Sequence, residues 1–169
     1  MTLDMTKILF HTNENGIQHA ADFLNALVAS NNKKETTFIL RALELLGEYP
    51  HFPIGKDGPM LLGEILSEEY KMKANHELVK RLSPYTVPGI YELRIEFNQS
   101  SVRMFYFPVK DSLNAQFYVF TEAYEFTAEQ MQKGLKNKIT EQARQRAYNI
   151  AIKYKVNPDS YIRKSGGYK

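Results

Sequence analysis

Tyr91-Glu92-Leu93-Arg94-Ile95-Glu96-Phe97 alternates apolar and charged side chains without a break, the pattern of a half-buried β-strand. Four polar residues follow, Asn98 to Ser101, enough for a tight hairpin loop. Val102-Arg103-Met104-Phe105-Tyr106-Phe107 supplies a second strand, and Gln116-Phe117-Tyr118-Val119-Phe120 a third after a looser turn. Three β-rich runs separated by turn chemistry predict an antiparallel meander of three to four strands, if an N-terminal strand joins it. With Asn98–Ser101 as the loop, Phe97 faces Val102, Glu96 faces Arg103 and Arg94 faces Phe105.

Side chains alternate between faces. Tyr91, Leu93, Ile95, Phe97, Val102 and Met104 are therefore expected in the core, with Glu92, Arg94, Glu96 and Arg103 together on the opposite face. That face is either solvated, with a cross-strand ion pair, or a platform that handles phosphate. Local chemistry alone favours the solvated face, because exposed cross-strand pairs are common and weak.

Working outward, 169 residues with 43% hydrophobic and 12% aromatic content suit one domain with a sizeable core. No apolar run approaches the ~20 residues of a membrane span, and Met1-Thr2-Leu3-Asp4-Met5 lacks the features of a signal peptide. The absence of cysteine excludes disulfides and thiolate metal sites and fits a reducing compartment. The expectation is a cytoplasmic protein without membrane contact. Residues 1–90 carry 9 Lys/Arg against 11 Asp/Glu, whereas residues 91–169 carry 13 against 8, a net of −2 followed by +5. From Met131 onward 10 basic residues face only Glu141 and Asp159. A basic segment on a near-neutral body suits a polyanion partner or a solubilising helix face.

Lys7-Ile8-Leu9-Phe10-His11 reads as a short edge strand, closed by the turn-prone Asn13-Glu14-Asn15-Gly16. Ala20, Phe23, Leu24, Leu27 and Val28 then follow helical spacing, and Phe38, Ile39, Ala42, Leu43, Leu45 and Leu46 give a second helix over 34–48. The short Ser30-Asn31-Asn32 break predicts an antiparallel αα-hairpin packed on the meander. The Pro- and Gly-rich stretch from Tyr49 to Pro59 is loop, and short helices are expected over 60–70 and 74–82. After Phe126, Thr127 and Gln130 form a capping box. Met131, Leu135, Ile139, Ala143, Ala147, Ile150, Ala151 and Tyr154 continue as one long C-terminal helix that Gly134 weakens without breaking. The domain is placed at 1–158, with an insert at about 51–73, and 159–169 is expected to be a flexible basic tail.

The four histidines, at 11, 19, 51 and 76, show no metal-ligand spacing, and no phosphate-loop, dinucleotide or hydrolase signature occurs. No cofactor or metal is expected. The tyrosines mostly occupy core-compatible positions, with Tyr106 and Tyr124 the least settled. RNA cleavage without a metal needs a base for the ribose 2′-OH, cations for the phosphorane and an acid for the departing oxygen. Arg94 and Arg103 suit the cationic role, because guanidinium stays charged and binds phosphate in a fork. Tyr124, Glu96 or Glu125 are candidate proton carriers. Lys80, Lys133, Lys136, Arg144 and Arg146 are candidate RNA-backbone contacts.

Gly89 to Ile95, Val102 to Phe107, Leu78-Val79-Lys80-Arg81-Leu82 and Glu141 to Arg146 resemble motifs of the HigB-like branch of the RelE/ParE toxin superfamily. The resemblance covers roughly residues 17–150. It implies an α+β RelE-like domain, in which a meander packs against an N-terminal αα-hairpin and carries a long C-terminal helix. It also implies the toxin of a type II toxin–antitoxin pair, an mRNA endonuclease working with the ribosome and neutralised by a helix-turn-helix antitoxin. Arg103 matches the family's phosphate-contacting arginine, and Arg94 the basic position on the preceding strand. On that reading Arg103→Ala abolishes growth inhibition and leaves the fold intact. The chain departs from the pattern at Phe120–Phe126, where a basic run is replaced by one holding Glu122 and Glu125. That acidic stretch motivates a second reading, a non-catalytic RelE-fold binding protein from a phage or mobile element; the ParE side of the superfamily implies a third, a gyrase poison.

Overall fold

The computed structural model describes residues 6–30, 33–48, 78–97, 99–132 and 134–167. The insert expected at 51–73, the helix expected over 60–70, the loop from Tyr49 to Pro59, the first residues (74–77) of the helix expected over 74–82 and Lys133 lie outside the described residues.

The fold is α+β. Strand β1 (Lys7–Phe10) leads into helices α1 (His19–Ala29) and α2 (Lys33–Glu48). Strands β2 (Val79–Arg81), β3 (Tyr91–Glu96), β4 (Ser100–Lys110) and β5 (Gln116–Thr127) follow. Helices α3 (Ala128–Gln132), α4 (Leu135–Val156) and α5 (Pro158–Lys164) and the two-residue strand β6 (Gly166–Gly167) complete it. The strands form one six-stranded sheet in the order β2-β3-β4-β5-β1-β6.

The meander is present, but the sheet is not purely antiparallel. Strand β1 runs parallel to β5, pairing Lys7 with Phe117 and Phe10 with Phe120, and lies inside the sheet because β6 covers its other edge. A parallel neighbour requires a crossover, and α1 and α2 lie in the connection between β1 and the meander. The expected helix over 74–82 is also corrected. Within it, Val79–Arg81 is a strand that pairs with Leu93–Tyr91, because its apolar side chain lies over β3 while its flanks are held by Leu82 N–H to Ile90 O and Arg94 N–H to Leu78 O.

The β3–β4 register differs from expectation by two residues. Arg94 faces Arg103 and Glu96 faces Ser101, since the ladder closes at Phe97 N–H to Ser100 O and the loop is shorter than four residues. A two-residue slip preserves side-chain parity, so the expected faces survive. Leu93, Ile95, Val102, Met104 and Tyr106 join α1 and α2 in one core layer. On α2, Ile39, Leu43 and Leu46 are fully buried there, each contributing roughly 1.5–3 kcal/mol.

The opposite face is buried too. Phe105, Phe107, Phe117 and Val119 pack beneath Ala143, Ala147, Ala151 and Tyr154 of α4. Small alanines let the helix approach the sheet closely. Tyr106 belongs to the first core layer, wholly buried beside Tyr91, Tyr118 and Phe120.

The capping box forms as expected: Thr127 N–H donates to Gln130 Oε1 at 2.8 Å, and Gln130 N–H to Thr127 Oγ1 at 3.3 Å. The single long helix does not. Gly134 adopts φ +71°, a left-handed conformation that separates α3 from α4 and suits glycine best. Where a flexible tail was expected from 159, α5 and β6 pack back onto the domain, with Gly166 paired to Phe10. Among the described residues, no helix is long and apolar enough to cross a membrane.

Candidate functional site: a histidine–arginine pocket beside the buried arginine row

Arg94, Arg103 and Tyr124 form one cross-strand row on β3, β4 and β5, so the three expected catalytic residues do come together. Their chemistry differs from expectation. Arg103 is 2% exposed, with Nη1 3.1 Å from Glu92 Oε1 and Nη2 2.5 Å from Glu96 Oε1. Arg94 Nε lies 3.4 Å from the same Glu92 oxygen. Glu92 is itself buried. This is neither a solvated face nor an open phosphate platform. Arg103 and Glu92 form a buried ion pair, with the partly exposed Arg94 and Glu96 at its rim.

The expected RNA contacts divide. Lys80 is exposed on β2, opposite Glu92. Lys136 stands at the start of α4 with its pKa lowered by burial and then by Arg103 and Arg94. Arg144 is 4% exposed and tied to Glu141 at 2.7 Å. It is a helix-packing residue rather than a surface contact. Arg146 is half exposed and leads to the second half of the site. Glu125 has its pKa raised by burial and then by Glu35, away from the arginine row.

Next to the arginine row lies a cavity of about 250 Å³, lined by His11, Asn13, Ile17, His19, Thr121, Glu122, Arg146 and Ile150. Four elements build it. The β1 ladder ends at His11, whose N–H donates to Phe120 O. Asn13 Oδ1 then accepts Asn15 and Ile17 N–H at 2.9 Å each, closing the turn that delivers His19 to the first turn of α1. Across it, the β4–β5 register shifts between Phe105 and Tyr106, leaving Thr121 as an extra residue on β5. Such a bulge re-aims neighbouring side chains and is frequent beside active sites. Here it sets Thr121 and Glu122 in the cavity wall. Helix α4 supplies Arg146 and Ile150 at i, i+4 spacing.

Arg146 grips Glu122 in a fork, Nε to Oε2 at 2.9 Å and Nη2 to Oε1 at 2.8 Å. The guanidinium is thereby held charged, its pKa raised chiefly by that carboxylate. Nη2 also approaches Tyr124 Oη at 3.3 Å, while the Tyr124 hydroxyl donates to Glu122. Burial, followed by the Glu122 hydrogen bond and charge, pushes Tyr124 up to about 12, so its hydroxyl stays protonated near neutral pH. His19 lies against the Tyr124 ring at 5.0 Å, and its Nδ1 accepts Ala123 N–H at 3.2 Å. His11 Nδ1 is 2.8 Å from Tyr154 Oη. Its pKa is lowered by burial and then by Lys153.

Tyr124 and Arg146 were legible as candidates in the sequence. His11 and His19 were not, because their grouping depends on β1 lying beside β5 rather than on any spacing. Glu122, which read as a defect in a basic run, is the partner that orients Arg146. Among the described residues, no group of three His, Cys, Asp or Glu side chains is arranged to hold a metal ion. Comparison with family models, curated proteins and solved structures finds no match to this chain.

Proposed function

We propose that this chain is a RelE/HigB-like toxin that cleaves mRNA by attack of a ribose 2′-OH on the adjacent phosphodiester. The observation that carries this reading is the convergence of two imidazoles and a carboxylate-held guanidinium around one cavity, with the Tyr124 hydroxyl bonded to that carboxylate behind its wall. A histidine takes the 2′-OH proton as the 2′-oxygen bonds to phosphorus. The P–O5′ bond breaks, and the departing oxygen takes a proton from Tyr124. The products are a 2′,3′-cyclic phosphate and a 5′-hydroxyl. Arg146 offsets the charge that builds on the phosphoryl oxygens. Its bonds to Glu122 and Tyr124 use Nε and Nη2, which leaves the Nη1 donors outside that pairing. Lys80 and Lys136 extend a cationic track for the backbone.

The order of a helical hairpin, a meander and a basic helix is also the order that the resemblance implies. On this reading the ribosome presents the message, and a helix-turn-helix antitoxin restrains the toxin in the cytoplasm. Inducible expression tests it. Wild type stops growth and cuts mRNA, whereas Arg146→Ala and His11→Ala do neither. Uncut mRNA under wild-type induction rejects the proposal.

One observation favours a second reading. Arg103, the arginine of the family motif, is neutralised inside the fold, as suits a non-catalytic binding protein built on the same scaffold. Growth arrest with intact mRNA would select it.

A further inference from the structure

Three hydrogen bonds link the cavity to the C-terminal segment. Ser165 Oγ lies 3.0 Å from the Tyr161 carbonyl oxygen, Tyr154 Oη lies 2.5 Å from Ser165 Oγ, and His11 Nδ1 lies 2.8 Å from Tyr154 Oη. Only one direction satisfies all three. A carbonyl accepts only, so Ser165 spends its single proton on Tyr161. Ser165 Oγ must then accept, so Tyr154 spends its proton on Ser165. Tyr154 Oη must in turn accept from His11, which therefore carries its proton on Nδ1. The remaining nitrogen of neutral His11, Nε2, is a lone-pair acceptor. His19 is fixed the opposite way. Ala123 N–H donates to its Nδ1 at 3.2 Å, so neutral His19 carries its proton on Nε2.

We infer that the cavity has a built-in polarity, in which His11 Nε2 is its base and His19 Nε2–H its neutral hydrogen-bond donor, with Tyr154 and Ser165 as the positioning residues that set the base. This rests on the RNA-cleavage reading for its substrate, but the polarity belongs to the protein alone. The 2′-OH proton passes to His11 Nε2 while Nδ1–H stays bonded to Tyr154. His19 donates to a phosphoryl oxygen without transferring its proton. The segment that closes the chain of bonds is held in place beside the base, because Gly166 and Gly167 pair with Phe10 and Leu9, immediately before His11.

The arrangement makes an unusual prediction for two conservative variants. Tyr154→Phe removes the acceptor and leaves His11 without a preferred tautomer. Ser165→Ala removes the group that takes the Tyr154 proton. Tyr154 then donates to His11 Nδ1 and moves the imidazole proton to Nε2, which eliminates the base. A merely structural role for Ser165 gives no such reversal.

The test is ¹H–¹⁵N long-range correlation NMR of the full chain, labelled at histidine, at a pH where both imidazoles are neutral. Wild type is expected to show a protonated Nδ1 on His11 and a protonated Nε2 on His19. Ser165→Ala should shift His11 towards protonated Nε2 and lower cleavage of RNA by about 10²-fold, the usual worth of a positioned base. Tyr154→Phe should lower it less. Protonated Nε2 on wild-type His11, or protonated Nδ1 on His19, overturns the polarity. Should Tyr154→Phe fail to fold, the loss of one hydroxyl in Ser165→Ala still decides it. If the NMR pattern holds but RNA stays intact, the polarity stands and the substrate assignment alone falls.

Discussion

Arg103 and Glu92 face each other inside the protein, Nη1 to Oε1 at 3.1 Å, with both side chains under 10% exposed. Removing one member of such a pair leaves the other charge buried without compensation, at ~3–5 kcal/mol. Arg103→Ala is therefore expected to lower stability by that amount in urea unfolding, contrary to the reading in which it leaves the fold intact. Arg103→Met combined with Glu92→Gln should recover much of the loss. A stable, inactive Arg103→Ala protein would return this arginine to the active site.

The Arg146–Glu122 fork predicts an asymmetric mutational pattern. Arg146→Ala removes the cation itself and should reduce RNA cleavage by about 10²–10³-fold. Glu122→Gln keeps a hydrogen-bond acceptor and should reduce it less. Arg146→Lys loses the fork geometry and should fall between them. Single-turnover cleavage rates give the order directly.

His11 predicts a pH dependence of stability. Its folded pKa lies below the ordinary 6.5, because burial and Lys153 disfavour the charged form. As pH falls, the unfolded chain binds the proton first. The stability that neutral His11 contributes is complete above about 6.5, and is lost as pH drops through 6.5 towards the lower folded value. Urea midpoints measured from pH 7.5 down to 5 should therefore fall more in wild type than in His11→Gln.

Gly134 lies at φ +71° with open space where a Cβ would stand. The penalty for Gly134→Ala is thus conformational, ~1–2 kcal/mol, and Gly134→Asn should cost less. Thermal unfolding of both variants separates a left-handed requirement from a packing one.

The sequence foretold the parts of this fold governed by short-range periodicity. The alternation of Tyr91–Phe97 placed Leu93 and Ile95 in the core and Glu92 and Arg94 opposite, and that survived a two-residue register error because parity is insensitive to even slips. Thr127 and Gln130 marked a helix start with no tertiary information. What stayed hidden depended on distant pairing. Val79–Arg81 is too short to show a period, and is a strand because β3 lies beside it. The face of Arg103 reads as solvent-facing until Ala143 and Ala147 bring α4 over the same side of the sheet. His11, His19, Glu122 and Arg146 meet only through the parallel β1–β5 contact and the return of α4.

The claim that this pocket cleaves RNA through the 2′-OH is tested most directly with a defined mRNA on translating ribosomes, cut by purified protein and analysed for its ends. The account predicts fragments ending in a 2′,3′-cyclic phosphate and beginning with a 5′-hydroxyl. Cleavage should vanish when the nucleotide before the cut carries 2′-deoxyribose, and in His11→Ala and Arg146→Ala. Intact mRNA with active wild-type protein, or cutting that persists at a 2′-deoxy position, would contradict it.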